Sequence, residues 1–325
     1  MNTLSDTFNR NINYLRISIT DRCNLRCIYC MPPEGIKSLS HNEVLRYEEI
    51  VTIVQAAAEL GISKIRLTGG EPLVRLGLAD LVRMIANIEG IDDIALTTNG
   101  LLLRKYAAPL KEAGLKRVNV SLDSLREDRY KQITRIGNLS EALDGIEAAK
   151  EAGLVPVKIN MVVIQGQNDD EILDFAKLSL NKGWHIRFIE PMPFTADTKF
   201  SFIPISEIVS HLNTLGNLEP YLPRDGNGPA KYFRYKGAEG TIGFISPMSE
   251  CFCSTCNRLR LTVDGMLRPC LMSDNELDLK SLLRSGASLD EVKKVILKAI
   301  EAKPERHHLT EGECQKGRTM CQMGG

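Results

Sequence analysis

Cys23, Cys27 and Cys30 fall in one short stretch with the spacing C-x3-C-x2-C, and Tyr29 precedes the last of them. Three thiolates this close can hold three corners of an iron–sulfur cube, and no fourth cysteine follows nearby. A fully ligated cluster stores or passes an electron, whereas an iron with an open position can coordinate a small molecule. Structural zinc takes four ligands, commonly from paired C-x2-C knuckles, and this triplet stops at three. Disulfides belong to oxidising compartments, and the start MNTLSDTFNR lacks the basic and apolar regions of an export signal.

A second triplet, Cys253-x2-Cys256-x13-Cys270, again offers three thiolates. Its C-x2-C half is also the commonest half of a zinc knuckle, so zinc stays open as an alternative there. Arg258 and Arg260 lie two residues apart. On a strand they project to one side, where they would face an anionic ligand beside a metal.

The chain has 325 residues, 43% hydrophobic and 25% charged, ordinary for a globular protein with ample core. Lys plus Arg and Asp plus Glu number 41 each, so no overall field draws nucleic acid or anionic membrane. No apolar run has the length of a membrane-spanning helix. Nine cysteines without an export signal predict a metal-binding protein of the reducing cytoplasm.

The elements that must position these residues read as alternating strands and helices. Strands are predicted at 15–19, 64–68, 93–97, 117–121, 156–163 and 184–189. Helices are predicted at 47–60, 78–88, 103–113, 140–152 and 169–180, with Gly61, Gly114, Gly153 and Gly183 at their ends. Six such units imply right-handed crossovers and a parallel sheet. A complete barrel needs eight, so the α/β fold class is a partial (β/α)6 TIM-type barrel, with a flat doubly wound sheet as the alternative. Past residue 223 the rhythm changes, through a Gly/Pro-rich linker, to antiparallel strands at 231–235, 241–245, 258–263 and 266–269. Asp264-Gly265 makes a hairpin turn, and helices follow at 277–283 and 289–302. Residues 1–223 are thus expected to form the barrel, and 224–325 a smaller α+β region that carries the second cysteine triplet.

Chemistry in parallel α/β folds gathers beyond the carboxyl ends of the strands. Here those ends carry the cysteine loop, Gly69-Gly70-Glu71-Pro72, Thr98-Asn99-Gly100, Ser121 with Asp123, Lys158 with Asn160, and Glu190 with Met192. Each alone reads as a turn, a cap or a core residue. Their coincidence at successive strand ends marks a site.

The Cys23–Cys30 motif followed by Gly69-Gly70-Glu71-Pro72 resembles the radical S-adenosylmethionine (SAM) superfamily. Both triplets together, with LTTNGLLL, RFIE, FCSTCNRLRL and the final Gly324-Gly325, resemble its GTP 3′,8-cyclase family over nearly the whole chain. The resemblance implies two [4Fe–4S] clusters, one on Cys23, Cys27 and Cys30 whose open iron SAM chelates, and one on Cys253, Cys256 and Cys270 that meets guanine. It implies that Tyr29, Gly70, Ser121 and Met192 contact SAM, near Thr98 and Asn99. GTP would be held by Arg16, Arg66, Thr97, Lys158, Arg258, Leu259 and Arg260, with Arg187 toward the triphosphate. A 5′-deoxyadenosyl radical would take hydrogen from ribose C3′, and C3′ would join C8 to give 3′,8-cyclo-7,8-dihydro-GTP, the first step of molybdenum cofactor biosynthesis. Gly324 and Gly325 would reach the active site and assist, with Arg318 as a candidate helper. Implied partners are GTP, a reductant protein, a downstream cyclic pyranopterin monophosphate synthase and a second copy in a homodimer, with neither membrane nor nucleic acid.

Cys251, Cys314 and Cys321 fall outside the ligand pattern and read as incidental thiols. Two rival classes compete. A radical SAM peptide-modifying enzyme would bring more cysteines to its second region. A non-enzymatic cluster sensor, electron carrier or zinc-containing RNA-binding module would show four nearby ligands or a basic excess.

Overall fold

The computed structural model describes residues 4–192, 200–201, 203–223, 228–307 and 318–323. From β1 (Tyr14–Ser18) the chain passes through the cysteine loop to α1 (Tyr47–Glu59), β2 (Lys64–Thr68), α2 (Leu78–Ala86), β3 (Asp93–Thr98) and α3 (Leu103–Glu112). It continues through β4 (Arg117–Ser121), α4 (Glu127–Thr134), α5 (Leu139–Glu151), β5 (Lys158–Val162), α6 (Ile172–Asn181), β6 (His185–Ile189) and α7 (Ile205–Leu212).

The six strands lie side by side in chain order and all run parallel. A doubly wound sheet would reverse its order at a switch point. Sequential order is that of a barrel wall, and this wall stays open, as six units require. Gly61, Gly114, Gly153 and Gly183 all take positive φ where the helices stop.

Alternation along each strand explains the layering. Leu15 and Ile17, Ile65 and Leu67, Ile94 and Leu96, Val118 and Val120, Ile159 and Met161, and Ile186 and Phe188 are all buried in one core. From the helix layer, Ile50, Ile53, Val54 and Ala57 of α1 join the same core. Each large side chain contributes about 1.5–3 kcal/mol by its burial. The other parity of every strand is largely polar, so the concave face of the wall is not a packed interior.

The remaining strands are β7 (Leu218–Pro220), β8 (Lys231–Tyr235), β9 (Ile242–Ile245), β10 (Arg258–Leu261), β11 (Met266–Arg268) and β12 (Leu277–Asp278). They are followed by α8 (Leu279–Arg284), α9 (Leu289–Glu301) and α10 (Met320–Met323). The expectation of a purely antiparallel set needs correction. β9 runs parallel beside β6 and β10 runs parallel beside β1, which extends the parallel wall to eight strands of a 12-stranded sheet. Only the outer pairs, β7–β8, β8–β9, β10–β11 and β11–β12, are antiparallel. The cause lies in β10, whose Arg-Leu-Arg-Leu alternation matches that of β1. In register with β1, it puts Leu259 and Leu261 into the core beside Leu15 and Ile17. The Asp264-Gly265 hairpin turn is present, with Gly265 at φ +85°. Helices α4 and α7 were not anticipated. Both are eight residues long, and α4 buries only Tyr130, Ile133 and Thr134. Among the described residues, no helix is long and apolar enough to cross a membrane.

Candidate active site

The two motifs first noticed in the sequence are bonded to each other. Beyond the paired ends of β1 and β2, Gly70 donates its N–H to the Thr20 carbonyl at 2.6 Å and Glu71 donates to Arg22 at 2.8 Å. A Cβ on Gly70 would lie 2.3 Å from the Arg22 carbonyl oxygen, so glycine is required there by the backbone of the cysteine loop itself. Helix α4 holds the loop from the other side. Its last carbonyls, at Ile133 and Thr134, accept the N–H groups of Ile28 and Arg26 at 3.0 Å, and Arg135 donates to the carbonyls of Arg26 and Met31. A helix end that would otherwise lack partners is thereby used to shape the loop.

Cys23, Cys27 and Cys30 are half-buried and line one large cavity inside the open barrel. Cys253 and Cys256, before β10, and Cys270, after β11, line the same cavity, so both triplets face a common space. None of the described cysteines forms a disulfide. In neither triplet do the three sulfurs all approach within 4.8 Å of one another, among the described residues. Three cysteines per set leave one corner of a cube, or one zinc position, without a protein ligand. Burial and the neighbouring Asp123 push the Cys27 thiol up, so a bound cation is needed to hold it as thiolate. Cys256 is different: burial opposes ionisation, but Arg258 and Lys303 bring it down to about 6.

Between the triplets the wall is cationic. Arg16 of β1 pairs in register with Arg260 of β10 on one side and Arg66 of β2 on the other, so three guanidinium side chains start from adjacent positions. Burial, then Arg260, pulls Arg16 well below its ordinary range. Arg260, 7% exposed, is brought to about 10 by burial and by Arg258, and its Nη1 has no protein partner. Arg66 donates Nε to the Tyr14 hydroxyl and Nη1 to Thr97 at 3.4 Å. Arg258 sits over the Phe252 ring and donates to the Cys256 sulfur at 3.5 Å. Like charges placed side by side on a sheet destabilise it, so this row calls for an anion.

Tyr29, Gly70, Ser121, Met192, Arg16, Arg66, Thr97, Arg258 and Arg260 all line the cavity. Leu259 does not. The pleat that turns Arg258 and Arg260 inward turns Leu259 into the core, where it is fully buried. Lys158, at the start of β5, lines a separate pocket with Trp184, His185 and Tyr232, and its Nζ lies 5.6 Å from the Tyr232 ring centre. Arg318 is committed to Asp264 and Glu276 through four hydrogen bonds. Gly324 and Gly325, and Cys314, lie outside the described residues.

Several groups escaped the sequence reading. Tyr14 and Asn119 line the cavity unforeseen, beside Asn160 and Arg187, which the sequence had offered; Asn119 Oδ1, Asn160 Oδ1 and two Arg187 nitrogens are buried without protein partners. The polar parity of strands β1 to β6 was the signal that could have found them. Lys303 and Arg10 had no local signal. Lys303 donates to the carbonyls of Arg258 and Pro269, and Arg10 to those of Cys253, Pro304 and Glu305, so two buried cations bind together the segments of the second triplet.

Residues 17–179 match the Radical SAM superfamily and residues 184–309 match Molybdenum Cofactor Synthesis C. A GTP 3′,8-cyclase of Pelotomaculum thermopropionicum is 57% identical, covering 99% of this chain and 100% of the relative. One from Moorella thermoacetica is 53% identical over the same shares. Streptococcus suis SuiB, solved bound to S-adenosylmethionine, matches 88% of this chain and 68% of its own with a TM-score of 0.61 at 15% identity, a likeness of fold. By both its matched regions and its full-length relatives, the chain belongs to the GTP 3′,8-cyclase family of the radical SAM superfamily.

Proposed function

We infer that this chain acts as a GTP 3′,8-cyclase, a lyase that converts GTP to 3′,8-cyclo-7,8-dihydro-GTP in the first step of molybdenum cofactor biosynthesis. The observation that carries the reading is the in-register row Arg260–Arg16–Arg66, set between two cysteine triplets that share one cavity. A triphosphate matches that row in charge and in hydrogen-bonding capacity.

Cys23, Cys27 and Cys30 would hold the [4Fe–4S] cluster that binds SAM, and Cys253, Cys256 and Cys270 a second one on the guanine side. When bound, the cluster and SAM would supply the radical chemistry that the ribose C3′–H of GTP requires, while the residues below hold both molecules. Ser121, Met192, Tyr29 and the Gly70 backbone seat SAM. Arg16, Arg66, Arg258 and Arg260 fix the triphosphate with Thr97, and Lys158 adds positive charge from β5. Fixing both ends of GTP leaves the ribose between the two clusters, and that positioning is the protein's contribution to rate. The wall of buried side chains keeps water from the reacting carbon. Gly324 and Gly325 complete the site. The enzyme works in the cytoplasm as a homodimer, takes electrons from a reductant protein and passes its product to cyclic pyranopterin monophosphate synthase.

Anaerobic turnover with SAM, reductant and GTP tests the reading, with the mass and the C3′–C8 connectivity of the product determined. Deoxyadenosine without any GTP-derived product would turn the assignment toward peptide modification.

A further inference from the structure

Beside the second triplet lies a ligand set of another geometry. The sulfurs of Cys251 and Cys253 and a ring nitrogen of His307 all fall within 4.8 Å of one another, the only such trio among the described residues. His307 Nε2 is 3.9 Å from Cys251 Sγ. Around one tetrahedral zinc, bond lengths of about 2.0–2.3 Å put ligand atoms roughly 3.5–3.8 Å apart. The trio is therefore near the spacing of a mononuclear site, unlike either cysteine triplet. The imidazole lies at the edge of this trio. Its Nε2 lies 3.1 Å from the Pro247 carbonyl, while Nδ1 is buried without a protein partner. The nitrogen that faces the thiols is thus Nε2, so ligation exchanges its Pro247 contact for the ion and leaves the proton on Nδ1.

We propose that Cys251, Cys253 and His307 form a mononuclear site for a thiophilic divalent cation, zinc or ferrous iron, with water in the fourth position. Binding displaces two thiol protons and changes no oxidation state. Cys253 belongs to this set and to the second cube's set, so the two occupants exclude each other. Metal at the trio leaves Cys256 and Cys270 one ligand short and blocks the second cluster. The exclusion rests on the functional reading above, whereas the cation site itself does not.

Cobalt(II) alone is the probe. Titrated anaerobically into the metal-free full chain, it gives thiolate-to-cobalt charge-transfer and tetrahedral d–d bands. Cys251→Ser and His307→Ala each weaken binding at least tenfold, while Cys270→Ser leaves it unchanged. The site is overturned if wild type gives no such bands, or if the bands survive Cys251→Ser and His307→Ala and vanish in Cys270→Ser. Reconstitution with iron and sulfide after zinc loading tests the exclusion: wild type retains about half the iron of the zinc-free sample, and Cys251→Ser retains all of it. Equal iron in both overturns the exclusion. A zinc-free wild type that binds only one cluster contradicts the two-cluster reading instead, with the cobalt result unaffected.

Discussion

The Tyr29 hydroxyl donates to Oδ2 of Asp123 at 2.6 Å, and the other carboxylate oxygen of Asp123 accepts the N–H of Val162 at 2.8 Å. One carboxylate thus joins the cysteine loop to the segments beyond β4 and at the end of β5. Burial lifts Asp123 to about 6, against the pull of both hydrogen bonds. Asp123→Ala strands two part-buried donors, at up to roughly 1–3 kcal/mol each. The variant is expected to unfold at lower denaturant and to bind SAM about tenfold more weakly, because Tyr29 loses its anchor. Urea titration and equilibrium dialysis measure the two effects, and unchanged SAM affinity would show that Tyr29 is held by other contacts.

The two triplets are expected to fail differently. Alanine at Cys23, Cys27 or Cys30 abolishes deoxyadenosine formation. Alanine at Cys253, Cys256 or Cys270 preserves part of the SAM cleavage and removes GTP turnover. Chromatographic assay of deoxyadenosine and of the cyclic nucleotide in the same reaction separates these results. Persistence of the cyclic nucleotide in the second group would falsify its assignment to substrate.

Arg260 is buried, has an unpartnered Nη1 and stands beside Arg16 in register. A charge-assisted hydrogen bond contributes about 1.5–3 kcal/mol, or roughly ten- to a hundredfold in affinity. Arg260→Ala should therefore weaken GTP binding by that factor and leave SAM binding within about twofold. Removing one of several crowded guanidinium groups also relieves repulsion, so the ligand-free variant should be no less stable than wild type. Calorimetry with GTP and SAM in turn checks this, and equal losses for both ligands would remove Arg260 from the triphosphate side.

Much of this arrangement was legible in the sequence because it depends on local spacing. The parallel (β/α)6 frame follows from helix stops at Gly61, Gly114, Gly153 and Gly183, and the cysteine motifs announce themselves. What escaped is set by long-range pairing. Nothing near Arg258 says that β10 will run parallel beside β1, and only that register turns Arg16, Arg66 and Arg260 into a row. Lys303 and Arg10 act on carbonyls from distant segments, which no motif encodes. The polar parity of Arg16, Arg66, Asn119, Asn160 and Arg187 was visible, however. Parallel strands covered on both faces are near-continuously apolar, so alternation in such strands signals a polar cavity instead of a filled barrel.

Glu71 supplies a prediction about pH. Its carboxylate accepts the N–H of Leu73 at 3.0 Å, the N–H of Asn99 at 2.7 Å and the Thr98 hydroxyl at 2.7 Å, which ties the turn after β2 to the end of β3. Burial outweighs these three donors and lifts the group from its usual 4.5 to about 7. The folded chain therefore holds the proton more tightly than the unfolded chain. The resulting stability is fully present below about 4.5, declines as pH rises and is gone above about 7. At ~1.4 kcal/mol per pH unit the whole effect is on the order of 3 kcal/mol. Glu71→Gln keeps the shape and cannot titrate, so its stability should lack this slope. Urea unfolding of both proteins between pH 5 and 8 is expected to show wild type losing ground to the variant by ~2–3 kcal/mol as pH rises. A constant gap across that range would mean that the three donors overcome burial and keep Glu71 ionised throughout.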